Sequence, residues 1–507
     1  MKRIILIIIV LTSIVISGCT KKDASINGMR VTEITVMAPS MGPVPSGVPE
    51  VEAAVNAVSE REIGVKIKLI FLDVGSYSDQ MGLSMSSQEK VDLLLTLPAG
   101  PAGFAMMTSQ NQLMDIGDLV NQYGQDLVKA TDEVMSGFAD ALRVNGKLLG
   151  ISGFYDKALM SHYAARKDLL DKYGISIEDI TNLDDITAVL AKFKEAEPAM
   201  SGILPMDVDG AVMDSAGGLC LIDFDKPVPI DLMGETRVKA AVAFLNKDPY
   251  RVVNWYNSDE FKTLLSYARK WYLAGYVYKD STINNEMPEE LVKSNKGITW
   301  FTGSEIGVEA NKSAQTGYPI RAKELAVTPL STNSLNKFVW AIPSYSKEGA
   351  AAMKFMNLMY TNAKISNLLT FGIEGRDYVG RDDGTIGYPQ GVTAQTVPYH
   401  MAEFLFGNQF MLKVWEGNPP DLRQQALAKN RAMQVSPLLG FTMDTTPVQN
   451  ELMSMSNVFV QYYGALTSGS VDPGENLPIF LKALDEAGVE RFIAEAQRQL
   501  DAWRKEN

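Results

Sequence analysis

Two cysteines and two histidines, Cys19, Cys220, His162 and His400, supply all the thiol and imidazole chemistry in a chain of 507 residues. They lie far apart in sequence, and a structural zinc site draws on about four such ligands, so the sequence implies neither a metal centre nor a cofactor. Asp207-Val208-Asp209-Gly210 resembles the start of a calcium loop, but the later acceptors and the closing Glu are out of place. There is no P-loop and no spaced glycine triplet after a strand, so any nucleotide hydrolysis would belong to another protein. The chemistry that remains is carboxylate and aromatic. With Asp+Glu at 60, a hydrolase using two carboxylates is one reading. Six Trp, 19 Tyr and 19 Phe offer the other: rings to stack on the apolar faces of a solute, with a few placed polar groups to orient it.

Composition limits the partners. Lys+Arg at 47 against Asp+Glu at 60 gives a net charge of −13, which argues against nucleic acid, because phosphate binding needs a basic surface. Hydrophobic residues at 46% and charged residues at 21% are ordinary globular usage, and the chain is long enough for two or three domains. At the N-terminus, Lys2 and Arg3 precede an apolar run from Ile4 to Ile16, shorter than the roughly 20 residues that span a bilayer. The run fits the core of an export signal and ends in Ile16-Ser17-Gly18-Cys19, which resembles a bacterial lipobox. Residues 1–18 therefore read as a signal peptide, Cys19 as the acylated N-terminus, and residues 19–30 as a polar tether. The mature protein is expected at the cell surface or in the periplasm, held to a bacterial membrane by lipid.

The elements that must position the aromatic residues follow from periodicity. Glu33–Ala38 reads as a strand, residues 49–61 as a helix with Val51, Val55 and Val58 on one face, and Val65–Phe71 as an alternating strand. A second helix over residues 76–88 and a buried strand over Val91–Leu97 complete β-α-β-α-β, hence a parallel sheet with ligand-binding loops at its carboxyl ends. The middle of the chain is more helical, with a helix start at Thr181 and Asp184, an amphipathic helix within 254–276, and another over 347–360. In the tail, Asn476 is a plausible cap, and Gly488 separates two helices. Asp382-Asp383-Gly384 reads as a hairpin turn and Cys220 as a buried thiol.

Several stretches together resemble one family. Val144–Ile151 (VNGKLLGI) is similar to the "v-dGK-yGiP" signature of extracellular solute-binding proteins of ABC importers, with Asn145 and Ser152 departing from it. His162–Leu170, Leu183-Asp184-Asp185, Gly297–Gly303 and Trp340–Pro343 resemble later motifs in order. Gly372–Tyr378 (GIEGRDY), Gly440–Asp444 and Glu495–Trp503 resemble a lipoprotein subgroup with a DUF3502-type C-terminal domain. The resemblance implies an α/β, two-lobe periplasmic-binding-protein-like fold with multiple interlobe crossings and a helical C-terminal region. It assigns residues 31–152 plus 298–338 to one lobe and 153–297 plus 339–507, including the tail from about 435, to the other. Hinges are expected near Ile151-Ser152-Gly153 and Val339-Trp340.

The function this resemblance implies is a lipid-anchored, monomeric importer subunit that performs no chemistry, binds a carbohydrate between its lobes and delivers it to an ABC permease. A surface glycoside hydrolase and a peptide-binding or sensory lipoprotein are the competing readings. Trp300 and Trp340, at the expected crossings, are the first candidates for stacking on the ligand; core packing is the alternative for both. Tyr155 and Asp156 follow the first hinge. Ser40 and Met41 follow the first strand, Trp255 sits in an irregular segment, and Glu374 belongs to the GIEGRDY motif. Trp415 and Trp503 read as packing of the tail. Replacing Cys19 with Ala is expected to move the exported protein from the detergent phase to the aqueous phase in a phase-partitioning assay. A variant that stays in the detergent phase would overturn the lipid anchor.

Overall fold

The computed structural model describes residues 25–26, 29–98, 100–144, 146–206, 210–213, 219–235, 238–283, 286–304 and 306–506. Cys19, the signal segment and the Asp207–Asp209 motif lie outside these residues. Within the expected tether, Ser25–Ile26 pairs with Met29–Arg30 as a short antiparallel ladder. No described helix is long and apolar enough to cross a membrane.

Along the chain, β1 (Thr32–Ser40), α1 (Val48–Ile63), β2 (Val65–Asp73), α2 (Val74–Ser87) and β3 (Leu93–Leu95) form the expected alternation, and β4 (Ile151–Ser152) ends this first passage. Then follow β5 (Met160–Arg166), α3 (Leu183–Ala196), β6 (Ser201–Ile203), α4 (Asp259–Leu273), β7 (Gly297–Ser304) and β8 (Ile320–Val327). β9 (Val339–Ala341), α5 (Gly349–Thr361) and α6 (Leu422–Ala432) come next, and α7 (Gln449–Thr467), α8 (Pro473–Glu486) and α9 (Val489–Glu506) close the chain.

Two sheets organise two lobes. The first has the order β2-β1-β3-β9-β4, with β1 parallel to β2 and β3, and β9 antiparallel to both neighbours. The second has the order β6-β7-β5-β8, with β6 parallel to β7, and β5 antiparallel to β7 and β8. A four-stranded antiparallel ribbon between residues 219 and 254 and the helices α7 to α9 pack with the second sheet.

The lobes are therefore divided differently from the sequence expectation. β7 and β8, in the 298–338 segment expected in the first lobe, belong to the second sheet. β9, α5 and residues up to Met433, expected in the second lobe, share the first lobe's core. The chain crosses at residues 153–159, 328–338 and about 434–437. The physical reason is pairing: Trp340 and Ala341 sit opposite Leu95 and Leu94, and Val339 and Trp340 opposite Ser152 and Ile151, so β9 fills the gap between β3 and β4.

Local chemistry explains the elements. In β2, Val65, Ile67, Leu69 and Phe71 are buried while Lys66 and Lys68 are exposed. β2 is an edge strand, and α1 covers its unpaired groups: Asn56 accepts from the Ile67 N–H at 2.7 Å and donates to its carbonyl at 2.9 Å, and Glu52 accepts from the Leu69 N–H at 2.7 Å. Gly64 ends α1 in the left-handed region at φ 66°. Asp92 accepts from the Thr35 N–H and the Ser346 hydroxyl, tying β1 to the start of α5. Two caps differ from expectation: Asn182 with Asp185 makes the capping box of α3, and Asp472 starts α8 at Pro473, leaving Pro478 inside it. The Asp382–Gly384 turn does join a hairpin, Val379–Gly380 with Ile386–Gly387.

Trp340 is fully buried, 5.7 Å from the Phe406 ring, and donates its Nε1–H to the Leu405 carbonyl. Trp340→Ala is expected to lower stability by about 3–5 kcal/mol in urea unfolding; a loss well under 1 kcal/mol would refute its place at the centre of this core.

Candidate functional site

Both sheets point the carboxyl ends of their parallel strands at the crossings. In the first, Ser152 at the end of β4 and Thr96 just after β3 meet Val339 at the start of β9. In the second, Ser304 at the end of β7 and Val327 at the end of β8 both sit opposite Met160, the first residue of β5. Such carboxyl edges are where open α/β sheets bind ligands.

The crossings are pinned by a buried polar knot. The Asp156 carboxylate accepts from Asn430 Nδ2 at 2.6 Å and from the Ala158 N–H at 2.9 Å. Asn430 Oδ1 accepts from the Lys157 N–H, and Gln409 accepts from the Asp156 N–H, both at 2.8 Å. Lys157 Nζ donates to Ser152 Oγ, which donates to the Leu335 carbonyl at 2.7 Å. Burial raises the Asp156 carboxyl above its ordinary value, against the Asn430 bond and the nearby cations. Both bonds fall on Oδ1, so Asp156 is buried and helps to hold the crossing.

Beside the knot lies an aromatic shelf. Tyr155 meets Phe338 at 6.4 Å and Phe404 at 6.0 Å, both nearly edge-to-face, and Phe338 lies 4.9 Å from Phe404. Lys157 Nζ sits 3.3 Å from the centre of the Tyr155 ring. Tyr155 is buried, whereas Phe338 and Phe404 are half-buried and offer ring surface at the carboxyl edge. A second aromatic group stands nearby in the chain: His400 stacks on Trp415 at 4.7 Å, and the Tyr388 hydroxyl lies 3.0 Å from His400 Nδ1. The Glu403–Arg423 pair links the two, since Glu403 precedes Phe404 and Arg423 also holds the Lys413 carbonyl. In the second lobe, His162, Phe301 and Thr302 are among the residues lining a small cavity of about 20 Å³ near the end of β7.

Most of the tryptophan candidates are placed elsewhere. Trp300 is fully buried among Leu204, Leu291 and Ile320, and Trp340 in the first core. Trp255 is fully buried between Phe244 and Phe261. Alternation along β7 and β9 turns Trp300 and Trp340 inward, while Trp255 is covered by the aromatic residues on either side of it. Trp503 packs on Phe441 as expected of the tail, but Trp415 belongs to the first lobe. Ser40 is buried and donates to the Pro43 carbonyl, while Met41 is exposed on the loop that leaves β1. Glu374 is exposed beside Tyr378, and its neighbour Arg376 binds Asp377 and Glu50, fastening the GIEGRDY turn to α1. Of the sequence candidates, the structure brings only Tyr155 and Asp156 together at the crossings. Phe338 and Phe404 were missed; Phe338 stands one residue before the expected hinge, so the opposite phase of the same short strand would have found it.

Residues 45–364 match the bacterial extracellular solute-binding protein family, and residues 437–505 match a domain of unknown function, DUF3502. The chain belongs to the bacterial extracellular solute-binding protein family. This solute-binding protein is 26% identical over 500 residues to a carbohydrate ABC transporter substrate-binding protein of Streptococcus pneumoniae serotype 4, covering 97% of this chain and 94% of that protein. Its fold is similar to the N-glycan transport solute-binding protein NgtS of Streptococcus pneumoniae, at a TM-score of 0.77 and 23% identity over 93% of this chain and 99% of that one. NgtS in complex with Man1GlcNAc superposes at 0.65 with the same identity and coverage. An HMO-binding, ABC-transporter-associated solute-binding protein of Bifidobacterium longum infantis matches at a TM-score of 0.62 and 16% identity, over 93% of this chain and 99% of that one.

Burial holds the imidazoles of His162 and His400 below their ordinary value of 6.5 in this solute-binding protein. Both are neutral when folded at neutral pH, and the unfolded chain takes up their protons first on acidification. Their contribution is therefore intact above about pH 6.5 and is lost as pH falls below it. The melting temperature is expected to drop between pH 7 and pH 5, and His400→Gln should flatten that drop. An unchanged slope in the variant would refute the burial argument.

Proposed function

We propose that this chain is the substrate-binding subunit of an ABC importer for carbohydrates, anchored by a lipid on Cys19, and that it binds its solute between the lobes without altering it. The observation that carries the reading is the half-exposed shelf of Phe338 and Phe404 on Tyr155, set at the carboxyl edge where the crossings meet. Aromatic faces suit the apolar C–H faces of sugar rings, and the polar residues around them suit hydroxyls. The carbohydrate transporter relative and the glycan-binding neighbours support the same substrate class.

Delivery to a permease requires that ligand favour one lobe arrangement over another. This chain superposes on NgtS at 0.77 but on its Man1GlcNAc and Man5GlcNAc complexes at 0.65 and 0.64, at the same 23% identity. A drop in overlap at constant sequence is what a change in lobe arrangement produces, and the knot at Asp156 and Asn430 would be its pivot.

A thermal-shift screen of the protein from Lys21 onward, against mono- and oligosaccharides, peptides and polyols, tests the reading. A ligand at 100 times its Kd should add about 2.7 kcal/mol of stability. A shift with one sugar class and no turnover of it is expected, and Phe404→Ala should weaken that binding by roughly 1.5–3 kcal/mol. Shifts with peptides alone would reassign the substrate. Release of reducing ends would refute a pure binding role.

A further inference from the structure

The two lobes meet at more than the three crossings. α6 is fastened to the first lobe at both ends: Arg423 near its start binds Glu403 and the Lys413 carbonyl, and Arg431 near its end donates to the Glu133 carbonyl at 3.1 Å. Between them Lys429 reaches across to the second lobe. Its Nζ lies 2.6 Å from both carboxylate oxygens of Glu324 on β8. Among the described residues, every other ion pair joins two groups of the same lobe.

The backbones that carry this pair are held firmly on each side. Asn430, next to Lys429, is fixed at the knot by Asp156 and Lys157. Glu324 sits opposite His162 in the second sheet, just before a β-bulge that shifts the register at Ala326. A rotation of one lobe against the other therefore leaves only the two side chains free to follow, and Nζ cannot keep both oxygens at hydrogen-bonding distance. The same flank carries a second contact. Asn418, in the segment that leads into α6, stands so close to Gly307, just after β7, that a Cβ there would come within 3.1 Å of its Oδ1.

The side chains of Lys429 and Glu324 are 36% and 39% exposed, so water and salt weaken the pair. It adds little to folding as a whole, but what it adds falls on one lobe arrangement. A solute that favours another arrangement gives up that contribution when it binds, and its apparent affinity falls accordingly. We propose that Lys429 and Glu324 form an interlobe latch that favours the lobe arrangement described here and is broken when a solute binds. The inference rests on the reading that the solute changes the lobe arrangement, and not on which solute does so.

Zero-length coupling of the protein from Lys21 onward with a water-soluble carbodiimide reads the latch before any solute is added. Mass spectrometry is expected to find the peptides of Lys429 and Glu324 joined by an amide bond, and to find less of that product when a binding member of the thermal-shift panel is present. In titration with the same compound, Lys429→Gln and Glu324→Gln are each expected to bind it about two- to fivefold more tightly than the unaltered protein, the worth of an exposed ion pair. The gain should vanish in about 1 M salt, and the charge exchange Lys429→Glu with Glu324→Lys should return the affinity to its original value. Both positions are partly exposed, and circular dichroism checks that the variants fold. Absence of the cross-link, an unchanged yield of it with the compound bound, or single variants that bind no more tightly would overturn the latch. If only peptides of the panel bind, the carbohydrate reading fails while the latch stands or falls on the same comparison made with those peptides.

Discussion

Asp156 and Asn430 meet at 2.6 Å across 274 residues of chain, in a region closed to water. Ser152, Lys157, Gln409 and the Leu335 carbonyl complete a network that ties the first crossing to the second, and Leu330 of the second exchanges backbone hydrogen bonds with Gln434 and Ser436 of the third. Buried ionic groups are costly unless their partners are placed correctly, and losing one partner leaves the other stranded. The knot therefore favours a single arrangement of the crossings. Tyr155 packs under Lys157 at the same point.

From that constraint follow the walls of the interlobe region. β9 enters the first sheet between β3 and β4 only because the 328–338 crossing delivers it there, and its entry leaves Phe338 at the carboxyl edge beside Phe404. The same crossing ends β8 opposite Met160, which sets His162 and Thr302 at the corresponding edge of the second sheet. One edge carries rings and the other carries an imidazole paired across strands with a hydroxyl.

The pattern of buried aromatic residues shows how function and packing separate. Trp255, Trp300 and Trp340 are large rings at positions that alternation or close packing directs inward, so they stabilise the cores. The half-buried rings, Phe338, Phe404, Tyr388 and Trp415, come from crossings and loops, where no neighbouring strand or helix covers both faces. Residue type alone does not distinguish the two groups.

Local pattern in the sequence was enough for the β-α-β-α-β start, the alternation of Val65 to Phe71, the hairpin at Asp382–Gly384 and the break at Gly488, because each depends on neighbours within a few residues. The ordered motifs from Val144 to Trp503 were enough for the family. The assignment of β7, β8 and β9 to lobes was not legible, since a buried strand has the same composition in either sheet and only its hydrogen-bonded partner decides. Nor was the shelf: Phe338 and Phe404 are 66 residues apart in the numbering of one chain and meet only in the fold, where the Leu405 carbonyl accepts the Trp340 indole Nε1–H. The sequence by itself determined the elements and the kinship; the tertiary structure decided which rings are left facing solvent, because exposure is a property of what packs on a side chain and not of the side chain itself.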